Sequence, residues 1–182
     1  MLVAEKLNKI DYVKIAITVA LSIYFFWAAF KPSWHFIDNV NLIFHEAGHF
    51  IFFFFGNFMS IAGGTIVQLT IPAVCSLYFF RQKQYYSAAL LLFWLGENFI
   101  NISIYAADAQ TMQLPLLGGD STIHDWNEML GMLNLLSETA LVAGIIQFLG
   151  ILITAAAIVF SLVAVFHKKS SLLTKYDIDD IK

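Results

Sequence analysis

Long runs of apolar residues are the feature that most restricts how this chain can fold. They occupy about 13–30, 40–59, 61–80, 86–106 and 139–166. Crossing the hydrocarbon core of a bilayer takes about 20 helical residues. With 59% hydrophobic and 13% charged residues, a chain of 182 residues has too little interior to hide this apolar surface from water. The sequence therefore predicts an all-α, polytopic membrane helix bundle with four to five hydrophobic helices.

The segments between and after these runs complete one predicted membrane-embedded domain, residues 1–182, because no linker divides the chain. The longest of them is an outer loop, 107–138, which holds five acidic residues and no Lys or Arg. Residues 127–136 of this loop have apolar residues at helical spacing, which predicts a helix on the membrane surface. A polar tail, 167–182, follows the last run.

The distribution of basic residues favours one membrane layout over another. If all five runs cross the bilayer, seven of the ten Lys and Arg residues lie on the inner side. If 40–80 makes one net crossing, nine of ten lie inside and Lys31 is the exception. The second layout needs a re-entrant or broken segment, for which Gly56, Gly63 and Gly64 are suitable residues. We expect the second layout, with the N-terminus inside.

The second run contains the sequence His45-Glu46-Ala47-Gly48-His49. Residues four apart share one face of a helix, so His45 and His49 can bind one metal ion. Neutral imidazole is a common zinc ligand, and Glu46 is placed to accept a proton from water that zinc polarises. Ionisable residues inside a membrane segment are costly and usually functional. The motif therefore predicts a zinc site with His45 and His49 as ligands and Glu46 as the catalytic base.

Two imidazoles need a further protein ligand, and the loop supplies one candidate. His124 lies in Ile123-His124-Asp125-Trp126, and a third His is a common choice for zinc. Alternatively, Asp125 caps a helix that begins near Trp126, with Glu128 completing a capping box, and His124 only precedes it.

Two carboxylates at the fourth run are the other candidates for the third ligand. Asp108 ends the run and could bind the metal, orient a ligand's second nitrogen, or lie at a solvated helix end. Glu97 shares a helical face with Asn101 and Asp108. It could be a ligand, or form a structural hydrogen bond with Asn101 or Gln68. A site that joins the motif to the loop requires the layout with one net crossing, because otherwise the two lie about 30 Å apart.

A pair of glycines follows the motif in the third run. Gly63 and Gly64, with Gln68, could contact an extended substrate. Equally, the two glycines could be points of close packing between helices.

With these residues, the chain resembles the site-2-protease-like intramembrane zinc metalloproteases. The resemblance rests on His45–His49 within a hydrophobic helix, followed by Gly63-Gly64, and covers about 25 residues. It implies a zinc ion held by two His and by a carboxylate from a later membrane helix, with Glu46 as base. The family's Asn-Pro-Asp-Gly or Leu-Asp-Gly context is missing, since Asp108 lies in Ala107-Asp108-Ala109.

The expected function is a membrane-embedded zinc metallopeptidase that hydrolyses peptide bonds in or near the bilayer. The alternatives are a zinc-dependent lipid or amide hydrolase and a non-proteolytic zinc-binding transporter or scaffold. We expect the lipid bilayer and a membrane protein or peptide substrate as partners, in a bacterial inner membrane or a plasma membrane. Nucleic-acid binding has no support, because no basic stripe interleaves with aromatic residues. A single cysteine, Cys75, excludes a cysteine-based zinc site.

Overall fold

The computed structural model describes residues 2–31, 35–115 and 123–179, with side chains described for 12–31, 35–115 and 123–166. Part of the predicted loop, 116–122, and the last tail residues, 180–182, lie outside this range. Six α-helices and no strand occur in the described residues, which confirms the all-α prediction. The helices are α1 (Leu2–Phe30), α2 (Phe36–Phe52), α3 (Asn57–Arg81), α4 (Tyr85–Ala107), α5 (Asp125–Met132) and α6 (Thr139–Asp179).

Four segments of these helices are long and apolar enough to cross a membrane: Tyr12–Phe30, Asn57–Arg81, Tyr85–Ala107 and Leu136–Phe166. Large apolar side chains point outward along them, for example Val74, Val159 and Phe166, each more than half exposed. Such a surface is stable against lipid and unfavourable in water. The chain is therefore a polytopic membrane protein.

Contacts between these helices define two ends of the bundle. Thr18 and Phe25 of α1 contact Tyr86 and Phe93 of α4, so these two helices run in the same direction. Gln68 and Ser76 of α3 contact Asn101 and Ala88 of α4, so α3 runs in the opposite direction. Gly150 and Thr154 of α6 lie against Ile100 and Gly96 of α4, so α6 also opposes α4. The C-terminal ends of α1 and α4 and the N-terminal ends of α3 and α6 thus share one end, which we call the site end.

The predicted second run, 40–59, does not form a spanning helix. It is divided among α2, a 3₁₀ turn (Phe53–Phe55) and the start of α3, and the 17 residues of α2 are fewer than the ~20 that a crossing requires. Asp38 near its start contacts Asn101, about 9 Å below the end of α4, and His49 near its end contacts Ser60 in the first turn of α3. Both ends of α2 therefore lie in the half of the bundle nearest the site end, so that 40–80 makes one net crossing.

The basic residues agree with this arrangement. Lys14, Arg81 and Lys83 lie at the end opposite the site end, as do the N-terminal part of α1 and the C-terminal part of α6 with their lysines. Lys31 follows α1 at the site end. The positive-inside rule therefore predicts that the site end faces away from the cytoplasm.

The predicted surface helix is shorter and more buried than its sequence suggested. Helix α5 has eight residues, and its Met129 and Leu130 are buried. Met129 packs against Ile61 and Ala62 of α3. Met129 and Leu130 therefore face the bundle, and the contact of Met129 with α3 brings the start of α5 to the His45–His49 motif.

Candidate metal centre

Helix α2 presents one polar face to the interior of the bundle. Asp38, Asn41, His45 and Gly48 are its buried residues, and they recur at helical spacing. His49 lies one turn after His45, with the two ring centroids 4.8 Å apart. The predicted ligand pair is therefore formed by helix geometry alone.

Three glycines allow α2 and α3 to cross at backbone contact. A Cβ atom on Gly48 would lie 2.1 Å from the carbonyl oxygen of Gly63, and one on Gly64 would lie 2.6–2.8 Å from the His45 ring. No side chain fits between the helices at these positions. Of the two interpretations of Gly63-Gly64, the contacts are those of close helix packing.

We expect Gly48→Ala to destabilise the protein. The new methyl group meets backbone, which cannot move aside as a flexible side chain does, so α2 must separate from α3. Overpacking of this kind typically costs about 1–3 kcal/mol. Gly144→Ala is the matched control, because a Cβ there has nothing within 4 Å, and Ala stabilises an open helical position by up to about 1 kcal/mol. Thermal unfolding in detergent measures both; equal melting temperatures would contradict the crossing described above.

The Nδ1 atom of each histidine has an acceptor. His45 Nδ1 lies 3.0 Å from Gln68 Oε1, and His49 Nδ1 lies 2.8 Å from the carbonyl oxygen of Ser60. An Nδ1–H group that donates to such an acceptor leaves Nε2 as the nitrogen that can bind a metal. Both rings are thus oriented with Nε2 toward the same point.

The third group at that point is Asp125, the first residue of α5. Its Oδ2 atom lies 2.8 Å from His45 Nε2 and 3.3 Å from His49 Nε2. Among the described residues, only His45, His49 and Asp125 form a group of three or more potential metal ligands, with their ligand atoms within 4.8 Å of one another. The backbone N–H of Asp125 donates to the Tyr105 hydroxyl at 3.1 Å, which ties α5 to the end of α4.

The charges of these groups are complementary. Hydrogen bonding to Asp125 raises the pKa of His49 to about 9, although burial opposes the shift. Burial by itself would raise the pKa of Asp125, but its hydrogen bonds to His45 and His49 outweigh burial and lower that pKa. The carboxylate therefore stabilises positive charge between the two rings, as it would stabilise a divalent cation there.

The donor set fits zinc. Zinc binds imidazole nitrogen and carboxylate oxygen at about 2.0–2.2 Å, so tetrahedral ligand atoms lie roughly 3.3 Å apart. The two distances from Asp125 Oδ2 to the imidazole nitrogens, 2.8 and 3.3 Å, are close to that separation. Three protein ligands leave a fourth position for water or substrate, as in catalytic zinc sites.

Glu46 lies at the exposed edge of the site. It follows His45 directly, and its side chain is exposed. Its negative charge contributes to the raised pKa of His49, which indicates that the carboxylate is close to the ligand group. An accessible carboxylate beside a metal site is suited to proton transfer.

The two other predicted ligands lie together, outside the ligand group. His124 Nε2 is 3.4 Å from Asp108 Oδ2, and His124 Nδ1 accepts from the backbone N–H of Asn127. Asp108 also accepts from Thr111 and from the backbone N–H groups of 113 and 114, and these hydrogen bonds, together with His124, lower its pKa although burial opposes them. His124 and Asp108 therefore hold the loop and the start of α5, whereas Asp125 has the position that the sequence analysis assigned to one of them.

The difference from the sequence-based expectation arises from a shift of one residue in the helix start. Asp125 was expected only as the cap of a helix that begins near Trp126, but His124 is the N-cap and Asp125 is the first helical residue. One residue turns a helix by about 100°, which directs Asp125 toward α2. Tyr105 was not predicted to be part of the site, although its ring contacts both His45 and His124. Its position in the fourth run was the only feature of the sequence that pointed to it.

Glu97, the third alternative, is part of a buried polar network. Its Oε2 atom accepts from Asn41 Nδ2 at 2.8 Å, and Asn41 Oδ1 accepts from Trp94 Nε1 at 2.8 Å. The hydrogen bond predicted for Glu97 is thus made with Asn41 of α2, and the residue is not a member of the ligand group.

Comparison of the chain with protein-family models, curated proteins and solved structures gives no match. The resemblance to site-2-protease-like enzymes therefore stays a prediction from the motif.

Proposed function

We propose that the protein is a membrane-embedded zinc metallopeptidase. The observation that carries the proposal is the convergence of His45 Nε2, His49 Nε2 and Asp125 Oδ2 beside the exposed carboxylate of Glu46. Two imidazoles, one carboxylate and an adjacent base are the parts that metal-assisted hydrolysis requires.

Each residue has a distinct role in this proposal. His45, His49 and Asp125 would hold a zinc ion, which would supply Lewis-acid chemistry for hydrolysis. Glu46 takes the proton from the attacking water and delivers it to the leaving amine. Gln68 and Ser60 hold the two imidazoles in the orientation that directs Nε2 inward.

The position of the site favours substrates that are in or near the bilayer. His49 contacts the first turn of α3, about 5 Å below the end of that helix. The apolar side chains of Phe50 and of the 3₁₀ turn Phe53–Phe55, which precedes α3, are exposed beside it. A substrate that reaches Glu46 therefore approaches through an apolar environment, as a membrane protein segment does.

The transporter alternative predicts a polar path through the whole bundle. Hydrogen bonds connect His45 with Asn101 of α4, and Glu97 lies one turn below Asn101, within the half of the bundle nearest the site end. One turn further, Phe93 is fully buried and packs with Phe25 and Ala157. This apolar layer favours a site that is accessible from one side, and therefore an enzyme over a conduit.

Metal removal tests the proposal. The purified protein is expected to cleave labelled casein in detergent, or single-span peptides in vesicles, and to lose this activity on treatment with a chelator. Addition of about one equivalent of zinc should restore it. Activity that survives the loss of zinc would contradict the proposal. Zinc-dependent release of fatty acids from the vesicles, without peptide cleavage, would instead favour the lipid hydrolase.

A further inference from the structure

A chain of hydrogen bonds leads away from His45 through three helices. His45 Nδ1 contacts Gln68 Oε1 on α3, Gln68 Nε2 donates to Asn101 Oδ1 on α4 at 3.0 Å, and Asn101 Nδ2 donates to Asp38 Oδ1 at 2.8 Å. Asp38 lies on α2, seven residues before His45. The chain therefore starts and ends on α2, and it links this helix to both neighbours.

The chemistry at its far end determines the direction of every hydrogen bond. Asn101 presents its NH₂ group to Asp38 Oδ1, and a carboxylate oxygen accepts that hydrogen bond. Its Oδ1 atom then accepts from the NH₂ group of Gln68, which leaves Gln68 Oε1 as an acceptor for His45. A neutral His45 that meets an acceptor at Nδ1 carries its proton there, so a metal ion that replaced the contact of Nε2 with Asp125 Oδ2 would meet a lone pair.

The surroundings make this direction hard to reverse. Asp38 and Gln68 are each 3% exposed and His45 is 7% exposed, so water cannot replace the partners at little cost. Asp38 is held as well, because its Oδ2 atom accepts the backbone N–H of His35 at the start of α2. A reversed amide would place like groups face to face in a buried site.

We infer that Gln68 is a positioning residue of the metal centre, and that Asp38 acts on His45 through Asn101 and Gln68 to keep Nε2 available for the metal. The inference rests on the proposed function, because it concerns the same zinc ligand. It assigns a role to residues that lie outside the His45–His49 motif and do not touch the metal.

Zinc affinity of full-length variants, measured by competition with a chelator in detergent, tests this role. Gln68→Leu keeps the size of the side chain but removes the acceptor, and it should weaken zinc binding about 10–100-fold. Gln68→Glu keeps the acceptor for His45 but removes the NH₂ donor to Asn101, so it should bind zinc more tightly than Gln68→Leu and less tightly than wild type. The matched control is Gln147→Leu, because Gln147 is a partly buried glutamine that donates to the carbonyl oxygen of Ala29 between α6 and α1. The zinc affinity of this variant should not change.

Asp38→Asn tests the direction of the chain. The new amide can donate as well as accept, which permits the reversed orientation of Asn101 and Gln68, so zinc binding should weaken several-fold. The melting temperature of each zinc-free variant is measured together with its zinc affinity. A loss of stability in Gln68→Leu with unchanged zinc affinity would overturn the inference, as would failure of Gln68→Glu to recover affinity. Absence of zinc from the wild type would overturn the proposed metal site itself. That result differs from a failure of the inference about Gln68, in which the wild type binds zinc and Gln68→Leu binds it equally well.

Discussion

Glu46→Gln is expected to bind zinc as the wild type does and to lose hydrolysis by roughly 10²–10⁴-fold. The amide has nearly the same shape as the carboxylate but cannot accept a proton, and general-base catalysis typically contributes a factor of this size. Because Glu46 is exposed and outside the ligand group, the substitution should leave the metal and the fold in place. Zinc content and the cleavage rate of labelled casein, measured on the same preparation, check both parts.

Glu138→Gln is the matched control for this variant. Glu138 is an exposed carboxylate in the 3₁₀ turn Leu136–Glu138 before α6, and its Oε1 atom accepts a hydrogen bond from the neighbouring Ser137 hydroxyl. Glu138→Gln makes the same carboxylate-to-amide change outside the site, and this variant should keep wild-type activity. Retained turnover in Glu46→Gln would mean that another group accepts the proton, and the catalytic role of Glu46 would have to be abandoned.

The second large effect concerns the third ligand. Asp125→Ala should lose stoichiometric zinc after dialysis against a weak chelator. Zinc sites built from four ligands bind with about 10–16 kcal/mol, so one ligand accounts for roughly 3 kcal/mol, or more than a hundredfold in affinity. Asp125→Asn keeps the shape of the side chain but removes the charge between the two imidazoles, and it should be nearly as severe.

His124→Ala and Asp108→Ala separate this assignment from the sequence-based one. Both residues hold the loop and the start of α5, so their loss should weaken zinc binding by about tenfold, as for groups outside the ligand set. If zinc is instead retained in Asp125→Ala and lost in His124→Ala or Asp108→Ala, the ligand that the sequence analysis suggested is correct. Metal analysis of the four proteins decides between the two.

Local sequence patterns were sufficient to predict the apolar helices, the pairing of His45 with His49 and the net crossing of 40–80. Runs of about 20 apolar residues are typical of membrane-spanning helices, and four of the five runs lie within single described helices, whereas 40–59 is divided. The four-residue spacing of His45 and His49 places both rings on one face of any helix, whatever surrounds it. The imbalance of Lys and Arg indicated one net crossing for 40–80, and the contacts of α2 agree with it.

Tertiary structure decided the rest. Asp125 reaches His45 from 80 residues away, because α5 packs on α3 and Tyr105 holds its first N–H group. The sequence places His124 and Asp125 side by side, but only the exact start of α5 determines which one faces α2. Likewise, Gly48, Gly63 and Gly64 are compatible with a substrate site or with a helix crossing until the two backbones are seen in contact. Spacing along one helix is a local property, whereas the third ligand depends on how three separate helices pack.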